Sequence, residues 1–222
     1  MENYTLGLAL FDYLPVFAGG IGLYLVCRYC AAQAGYSSSW VVAIPLIALI
    51  GGAMKATWKT IWVVAGINLQ WMSDQLFFFL VTAYLLMTVF VIRTLSAARN
   101  GVSLSDDWWV LPLIIVTAVL GSAFYLKATS DGRGWSIVLI ATLALASLVF
   151  LLTLIRHAYV AGDRIAMLLF ATNLILSYVL VGLARLEQTA ELQWIEEILN
   201  FVNNSLLALA AWRLTRRAAQ HA

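Results

Sequence analysis

The sequence predicts an all-α membrane protein built as a bundle of seven transmembrane helices. The first indication is composition: 63% of the 222 residues are hydrophobic and 11% are charged, whereas a soluble domain is about 45–50% apolar and about 25% charged. The second is continuity, because the apolar residues form long unbroken runs and not the alternating pattern of a transmembrane barrel. The third is spacing, because short polar segments separate the runs and predict antiparallel neighbours.

Seven runs reach the length of about 20 residues that a helix needs to cross the hydrocarbon core. We predict them at approximately residues 6–26, 40–65, 74–95, 108–126, 135–156, 165–184 and 193–213. The second and third are least clearly separated, since only GINLQWMS, residues 66–73, lies between them. Little sequence remains outside the runs, so we expect a single transmembrane domain, residues 1–222, without a separate soluble module.

The ends of the runs carry Trp, Lys and Arg, the residues that favour a membrane interface. In chain order they are Arg28 after the first run, Trp40 and Trp62 at the ends of the second, Trp71 and Arg93 for the third, Trp108, Trp109 and Lys127 for the fourth, Trp135 and Arg156 for the fifth, Arg164 and Arg185 for the sixth, and Trp194 and Trp212 for the seventh. The tryptophans fit two interfacial belts, with Trp40, Trp108, Trp109 and Trp212 at the inner edge and Trp62, Trp71, Trp135 and Trp194 at the outer edge.

The distribution of positive charge predicts the orientation, because cytoplasmic loops carry an excess of Lys and Arg. With the N-terminus outside, the inner side collects Arg28, Arg93, Arg99, Arg156, Arg164, Arg213, Arg216 and Arg217. The outer side then has only Lys127, Arg133 and Arg185 near the helix ends. We therefore expect the N-terminus outside and the C-terminus in the cytoplasm, in a bacterial cytoplasmic (inner) membrane.

Two lysines lie inside the second run, in the stretch GGAMKATWKTIW. A charged residue within a span costs about 2.5–3.5 kcal/mol on insertion scales and tends to face the bundle interior. Lys55 and Lys59 are four residues apart, so they share one helix face. At about 1.5 Å per residue, Lys55 lies roughly 22 Å from the inner edge, in the outer half of the membrane. Two ammonium groups this close repel each other and call for anions between them.

Other spans place acids and amides at the same depth. Asp12 lies in the outer half of the first run, and Asp74 lies at the outer start of the third. In the seventh run, acids and asparagines recur at spacings of three and four, which defines one polar helix face. We therefore predict a polar ligand-binding cluster in the outer half of the bundle, formed by Lys55, Lys59, Asp12, Asp74, Glu196, Glu197, Asn200, Asn203 and Asn204.

The position of each of these residues can also be explained without a shared cluster. Lys59 can extend toward the outer headgroups with its stem along lipid. Asp74 can cap the third helix, and the acids of the seventh run can be solvated at the rim. The asparagines can form ordinary hydrogen bonds between helices. Asn173, with Ser177 four residues later, fits the same structural role, but contact with Asn203 or Asn204 would extend the polar stripe inward, as a transport path requires.

The sequence gives little support for a metal site, a redox site or a retinal site. Cys27 and Cys30 form CRYC, which resembles a metal or redox pair, but the chain has only two cysteines and two histidines, and a zinc site needs about four ligands. We expect structural cysteines, no metal and no cofactor. His157 suits a helix C-terminus. The seventh run has no lysine for a retinal Schiff base. Gly51 and Gly52 favour close helix approach.

Three functional hypotheses remain. The first is binding or transport of a small anionic molecule or lipid headgroup, with the lysines attracting it and the carboxylates balancing their charge. The second is a non-catalytic subunit, scaffold or sensor in a larger membrane complex, with a membrane protein as partner. The third is an intramembrane lipid-modifying enzyme, which is less expected because no nucleophile stands beside a base. The net charge of +2 gives no indication of nucleic acid binding, and the lipid bilayer is the expected surrounding.

Overall fold

The computed structural model describes residues 5–130, 132–187 and 189–221, and within these ranges it contains eight helices and no strand. The helices are α1 (Leu6–Phe11), α2 (Tyr13–Gln33), α3 (Trp40–Ala65), α4 (Gln70–Asn100), α5 (Val110–Thr129), α6 (Gly134–Val160), α7 (Arg164–Leu183) and α8 (Ala190–His221). α1 and α2 follow one another as a single 28-residue span, Leu6–Gln33. The eight helices therefore form seven rods.

Six of the rods among the described residues are long and apolar enough to cross a membrane. The seventh, α8, has 32 residues and is also long enough, but its acids, asparagines and arginines lower its mean hydropathy. The predicted all-α membrane bundle is confirmed. Its orientation relative to the membrane stays a prediction, so we name the two ends neutrally. The N face contains the start of α1, and the C face contains the end of α8.

A glycine separates the two runs that nearly merge in the sequence. Gly66 has a φ of 68°, the left-handed conformation that ends helices, and its N–H donates to the carbonyl of Trp62. Gln70 then begins α4, four residues before the predicted start of that run. α4 ends in the same way at Gly101, with a φ of 63°. The helix therefore extends beyond the apolar run at both ends, because its polar terminal turns are hydrogen-bonded whether or not lipid surrounds them.

The rods form a closed ring. α2 packs on α8 and α3, α3 on α4, α4 on α6, α6 on α7, and α7 on α8, while α5 packs outside the ring against α6 and α4. The main hydrophobic core fills the half of the ring near the C face, with buried residues such as Cys27, Cys30, Phe90, Phe150 and Leu207. Both cysteines are buried thiols, consistent with a structural role. The half near the N face is packed less completely and contains the site described below.

Gly51 brings α3 and α4 together. A Cβ atom at this position would lie 2.5 Å from the Cβ of Phe79 and 3.3 Å from the carbonyl oxygen of Leu76. Such contacts with a side-chain root and a backbone atom cannot be relieved by a rotamer change, so the helices would have to separate. Gly121 on α5 provides a matched control, because nothing in the described structure lies within 4 Å of the position that its Cβ would take.

We expect Gly51→Ala to destabilise the protein by about 1–3 kcal/mol through overpacking. Gly121→Ala should be neutral or slightly stabilising, since alanine is the better helix former by about 1 kcal/mol. Thermal unfolding of the purified variants in detergent measures both effects. A loss of the same size in both variants would show that close approach at Gly51 is not what matters.

Candidate functional site

The first rod is interrupted at Asp12. α1 ends at Phe11 and α2 begins at Tyr13. Pro15 lacks the N–H that would otherwise bond to the carbonyl of Phe11, which explains the break at this point. The path of the helix continues through this point, because Asp12 has right-handed helical dihedral angles and its N–H donates to the carbonyl of Leu8. The position therefore puts a carboxylate inside the span, where it requires polar partners.

Lys59 supplies the partner for Asp12 and joins three rods. Its Nζ lies 2.5 Å from Oδ2 of Asp12 and 2.9 Å from Oε1 of Glu197. Lys59 is 4% exposed and Asp12 is 5% exposed, so the group is buried. The lysine therefore points into the bundle and does not extend to the headgroups. One ammonium and two carboxylates link α1/α2, α3 and α8 at a single point.

Lys55 lies one turn before Lys59 on α3 but has a different environment. It is half-buried and lines a cavity, and within the described part of the chain it has no hydrogen bond or ion pair of its own. The charges of Glu197, Asp12 and Glu196 act on it from a distance, as does the like charge of Lys59. The two lysines therefore differ: Lys59 is fixed by carboxylates, and Lys55 lines the cavity without a direct anionic partner among the described residues.

The cavity has a volume of about 300 Å³ and lies between α2, α3, α4, α6, α7 and α8. One wall is polar, with Asp12, Lys55, Glu197, Asn200, Asn203 and Asn204. The opposite wall is apolar and comes from α4, α6 and α7, with Phe77, Leu80, Ile140, Leu143 and Val181 among its residues. A volume of this size is at the lower end of the range for small-molecule sites. The cavity suits a molecule that has one polar end and one apolar end.

A hydrogen-bonded network extends the polar wall toward the C face. The side-chain amide of Asn173 donates to the backbone oxygen of Asn203 at 2.7 Å and to its Oδ1 at 2.8 Å. Asn203 in turn donates to Oγ of Ser177 at 2.9 Å, and Ser177 donates to the carbonyl of Asn173. Asn173 and Asn203 are both buried. The network joins α7 to α8, and it gives the polar stripe the inward extension considered for Asn173.

Of the remaining predicted site residues, two line the cavity, one lies near Lys55 and one lies elsewhere. Asn204 donates to Oδ1 of Asn200 at 3.1 Å, and both line the cavity. Glu196 is half-buried and acts on Lys55 through its charge. Asp74 does not join the cluster: its Oδ2 is 2.7 Å from Nζ of Lys127, which joins α4 to α5. The alternative considered for Asp74, a cap of the helix N-terminus, does not fit either, because α4 begins four residues earlier, at Gln70.

The apolar wall has no signal in the sequence. Its residues on α4, α6 and α7 have the same character as residues that face lipid, so hydropathy does not distinguish them. Four polar residues also line the cavity: Tyr84, Ser147, Ser177 and Tyr178. Of these, only Ser177 and Tyr178 lie close in sequence to Asn173, the polar residue of this span identified from the sequence. A polar residue on a mostly apolar helix is the only sequence feature that could indicate them.

No family model, no curated protein and no solved structure matches the chain. Among the described residues there is no group of three or more His, Cys, Asp and Glu side chains placed to hold a metal ion. Function is therefore inferred from the geometry of the cavity and its charges.

Replacing Lys59 should be far more damaging than replacing Lys55. Lys59→Met leaves two buried carboxylates without their cation, and breaking a buried pair in this way costs about 3–5 kcal/mol. Lys55→Met removes no direct partner and should leave stability unchanged or raise it, because an unpaired half-buried cation is unfavourable. Unfolding in detergent–denaturant mixtures measures both variants.

A triple variant tests the reason for this difference. Adding Asp12→Asn and Glu197→Gln to Lys59→Met removes the uncompensated charges, so most of the lost stability should return. If Lys55→Met proves as unstable as Lys59→Met, the assignment of distinct environments to the two lysines is wrong.

Proposed function

We propose that the protein binds a small anion with an apolar body in the cavity between its helices, and that Lys55 holds the anionic group. The observation that carries this proposal is that Lys55 lines the cavity and has no hydrogen bond or ion pair among the described residues. A buried or half-buried cation is costly unless it is paired. A carboxylate, sulfonate or phosphate in the cavity would provide the missing partner.

The apolar wall of the cavity supports the proposal that the ligand has an apolar body. An inorganic ion in this cavity would leave the surfaces of Phe77, Leu80 and Leu143 without contact. An alkyl or aromatic group would fill that space and gain about 25 cal/mol per Å² of apolar surface removed from water. The candidates are therefore amphiphilic anions such as fatty acids and alkyl phosphates, including the headgroup region of an anionic lipid.

The orientation expected from the sequence would place the cavity in the outer half of the membrane. The C face collects Arg28, Arg93, Arg99 and the arginines of α8, which supports its location in the cytoplasm. Toward that side the rods are closed by the main hydrophobic core. Binding from the outer side fits this arrangement, and transport would in addition require the core half of the ring to open.

Decanoate is a suitable test molecule, with decyltrimethylammonium as its cationic counterpart. We expect decanoate to raise the unfolding temperature of the protein in nanodiscs, because a ligand that binds only the folded state stabilises it. Lys55→Gln should weaken decanoate binding roughly tenfold or more, the effect of one charge-assisted hydrogen bond. Lys127→Gln is the matched control, since it removes a lysine of the N face that lies outside the cavity. Equal binding of decanoate by Lys55→Gln and the unaltered protein would exclude this function.

Charge balance predicts that anion binding takes up a proton. Lys55 and Lys59 balance Asp12 and Glu197, so a bound anion adds one uncompensated negative charge, with Glu196 nearby adding to it. A proton on the Asp12–Glu197 pair would restore neutrality. We expect the apparent Kd of decanoate to rise with pH, by up to about tenfold per pH unit for one coupled proton.

The proton dependence has its own control. Asp12→Asn holds one carboxylate position permanently neutral and should bind decanoate with little dependence on pH above the pKa of the ligand. A pH profile that is unchanged in Asp12→Asn would mean that the carboxylate pair does not carry the proton.

A further inference from the structure

A second polar cavity lies at the C face, far along α8 from the first. It has a volume of about 320 Å³ and is lined by Asp163, Trp212, Arg213, Arg216, Arg217 and Gln220. Asp163 precedes α7, and the other residues belong to the last turns of α8. Arg216 and Arg217 follow Arg213 by three and four residues, which places both on the side of the helix that Arg213 occupies, and all three line the cavity.

Asp163 fixes two of the arginines in place. It is 1% exposed, and its Oδ1 accepts from the N–H of Ala166 at 3.0 Å and from Nε of Arg213 at 2.8 Å. Nη1 of Arg217 lies 3.7 Å from its Oδ2. Burial by itself raises the pKa of Asp163, but these hydrogen bonds and the two arginine charges outweigh burial and lower it below its usual range. The carboxylate therefore stays charged and orients the guanidinium groups.

The cavity keeps an excess of positive charge. Three guanidinium groups and one carboxylate give a net charge of +2. Arg216 lies over the ring of Trp212, 5.4 Å from its centroid, and in the described part of the chain it makes no ion pair. A guanidinium presents several N–H donors in a planar fork, and Arg213 uses only Nε for Asp163. Donors from three side chains are thus available to one ligand.

We propose that this cavity binds the phosphate group of a membrane lipid headgroup or of a free phosphate. Arginine forks match phosphate oxygens and form paired, charge-assisted hydrogen bonds with them. The location supports the lipid as source: Trp212 is 46% exposed next to the apolar part of α8, as expected at a membrane interface. Basic pockets between transmembrane helices are known to hold anionic headgroups.

Arg216→Gln tests the proposal without disturbing Asp163, because Arg216 makes no contact with that carboxylate in the described structure. Arg99→Gln is the matched control, an exposed arginine at the same face but outside the cavity. Arg213→Lys is a second test variant, since it keeps the charge beside Asp163 but loses the planar fork. All three are to be purified in detergent with thermal unfolding measured first.

Two experiments distinguish a lipid headgroup from free phosphate as the ligand. In the first, phosphatidylglycerol and phosphatidylcholine are titrated and bound lipids are counted by native mass spectrometry. In the second, binding of radiolabelled inorganic phosphate is measured by equilibrium dialysis. We expect Arg216→Gln and Arg213→Lys to weaken phosphatidylglycerol binding roughly tenfold or more, and Arg99→Gln to leave it unchanged. Binding of inorganic phosphate with the same dependence on Arg216 would identify free phosphate as the ligand.

Two outcomes would overturn the proposal. An equal loss in Arg216→Gln and Arg99→Gln would show general attraction to a basic surface. Phosphatidylglycerol and phosphate binding that is unaffected by both cavity variants would show that the cavity takes neither. Neither result bears on decanoate binding at Lys55, so the two sites are tested independently.

Discussion

The ammonium group of Lys59 lies between two carboxylates at a depth where the surrounding medium is lipid or packed side chains. In such a medium an unpaired charge is strongly unfavourable, so the three charged groups hold one another in place. They come from three rods, and this fixes how α1/α2, α3 and α8 are rotated about their axes. The rotation of α3 then determines where Lys55 points, and the rotation of α8 determines which asparagines face inward. This contact therefore orients the helices that supply the polar wall of the cavity.

The two halves of the bundle differ in how completely they are packed. Near the C face, aromatic and aliphatic side chains fill the ring, and the buried cysteines contribute to this packing. Near the N face, polar groups occupy the ring and leave a cavity of about 300 Å³. Polar residues pack less completely because each must keep its hydrogen-bond geometry. The half near the C face therefore supplies most of the packing.

Lys55 and Lys59 are one helix turn apart, and this difference in position gives them different neighbours. Lys59 has two anions as direct neighbours and is structural for that reason. Lys55 lines the cavity, and we propose that its charge serves a ligand. The same contrast recurs at the C face, where Arg213 is held by Asp163 and Arg216 is engaged only by the ring of Trp212 among the described residues. In both places a carboxylate fixes one cation and leaves its neighbour exposed to a cavity.

The sequence by itself determined the class of fold and the approximate position of every rod, because hydropathy and run length are local properties that the membrane enforces on each segment. It also indicated that Lys59, Asp12 and Glu197 face inward, since lipid excludes charges wherever the helix is placed. Only the tertiary structure decided which charges meet. Asp74 lies at a depth like theirs but pairs with Lys127, because the rotation of α4 directs it toward α5. The apolar wall likewise has no sequence signature, since residues facing lipid and residues facing a cavity have the same character, and only the packing of neighbouring rods separates them.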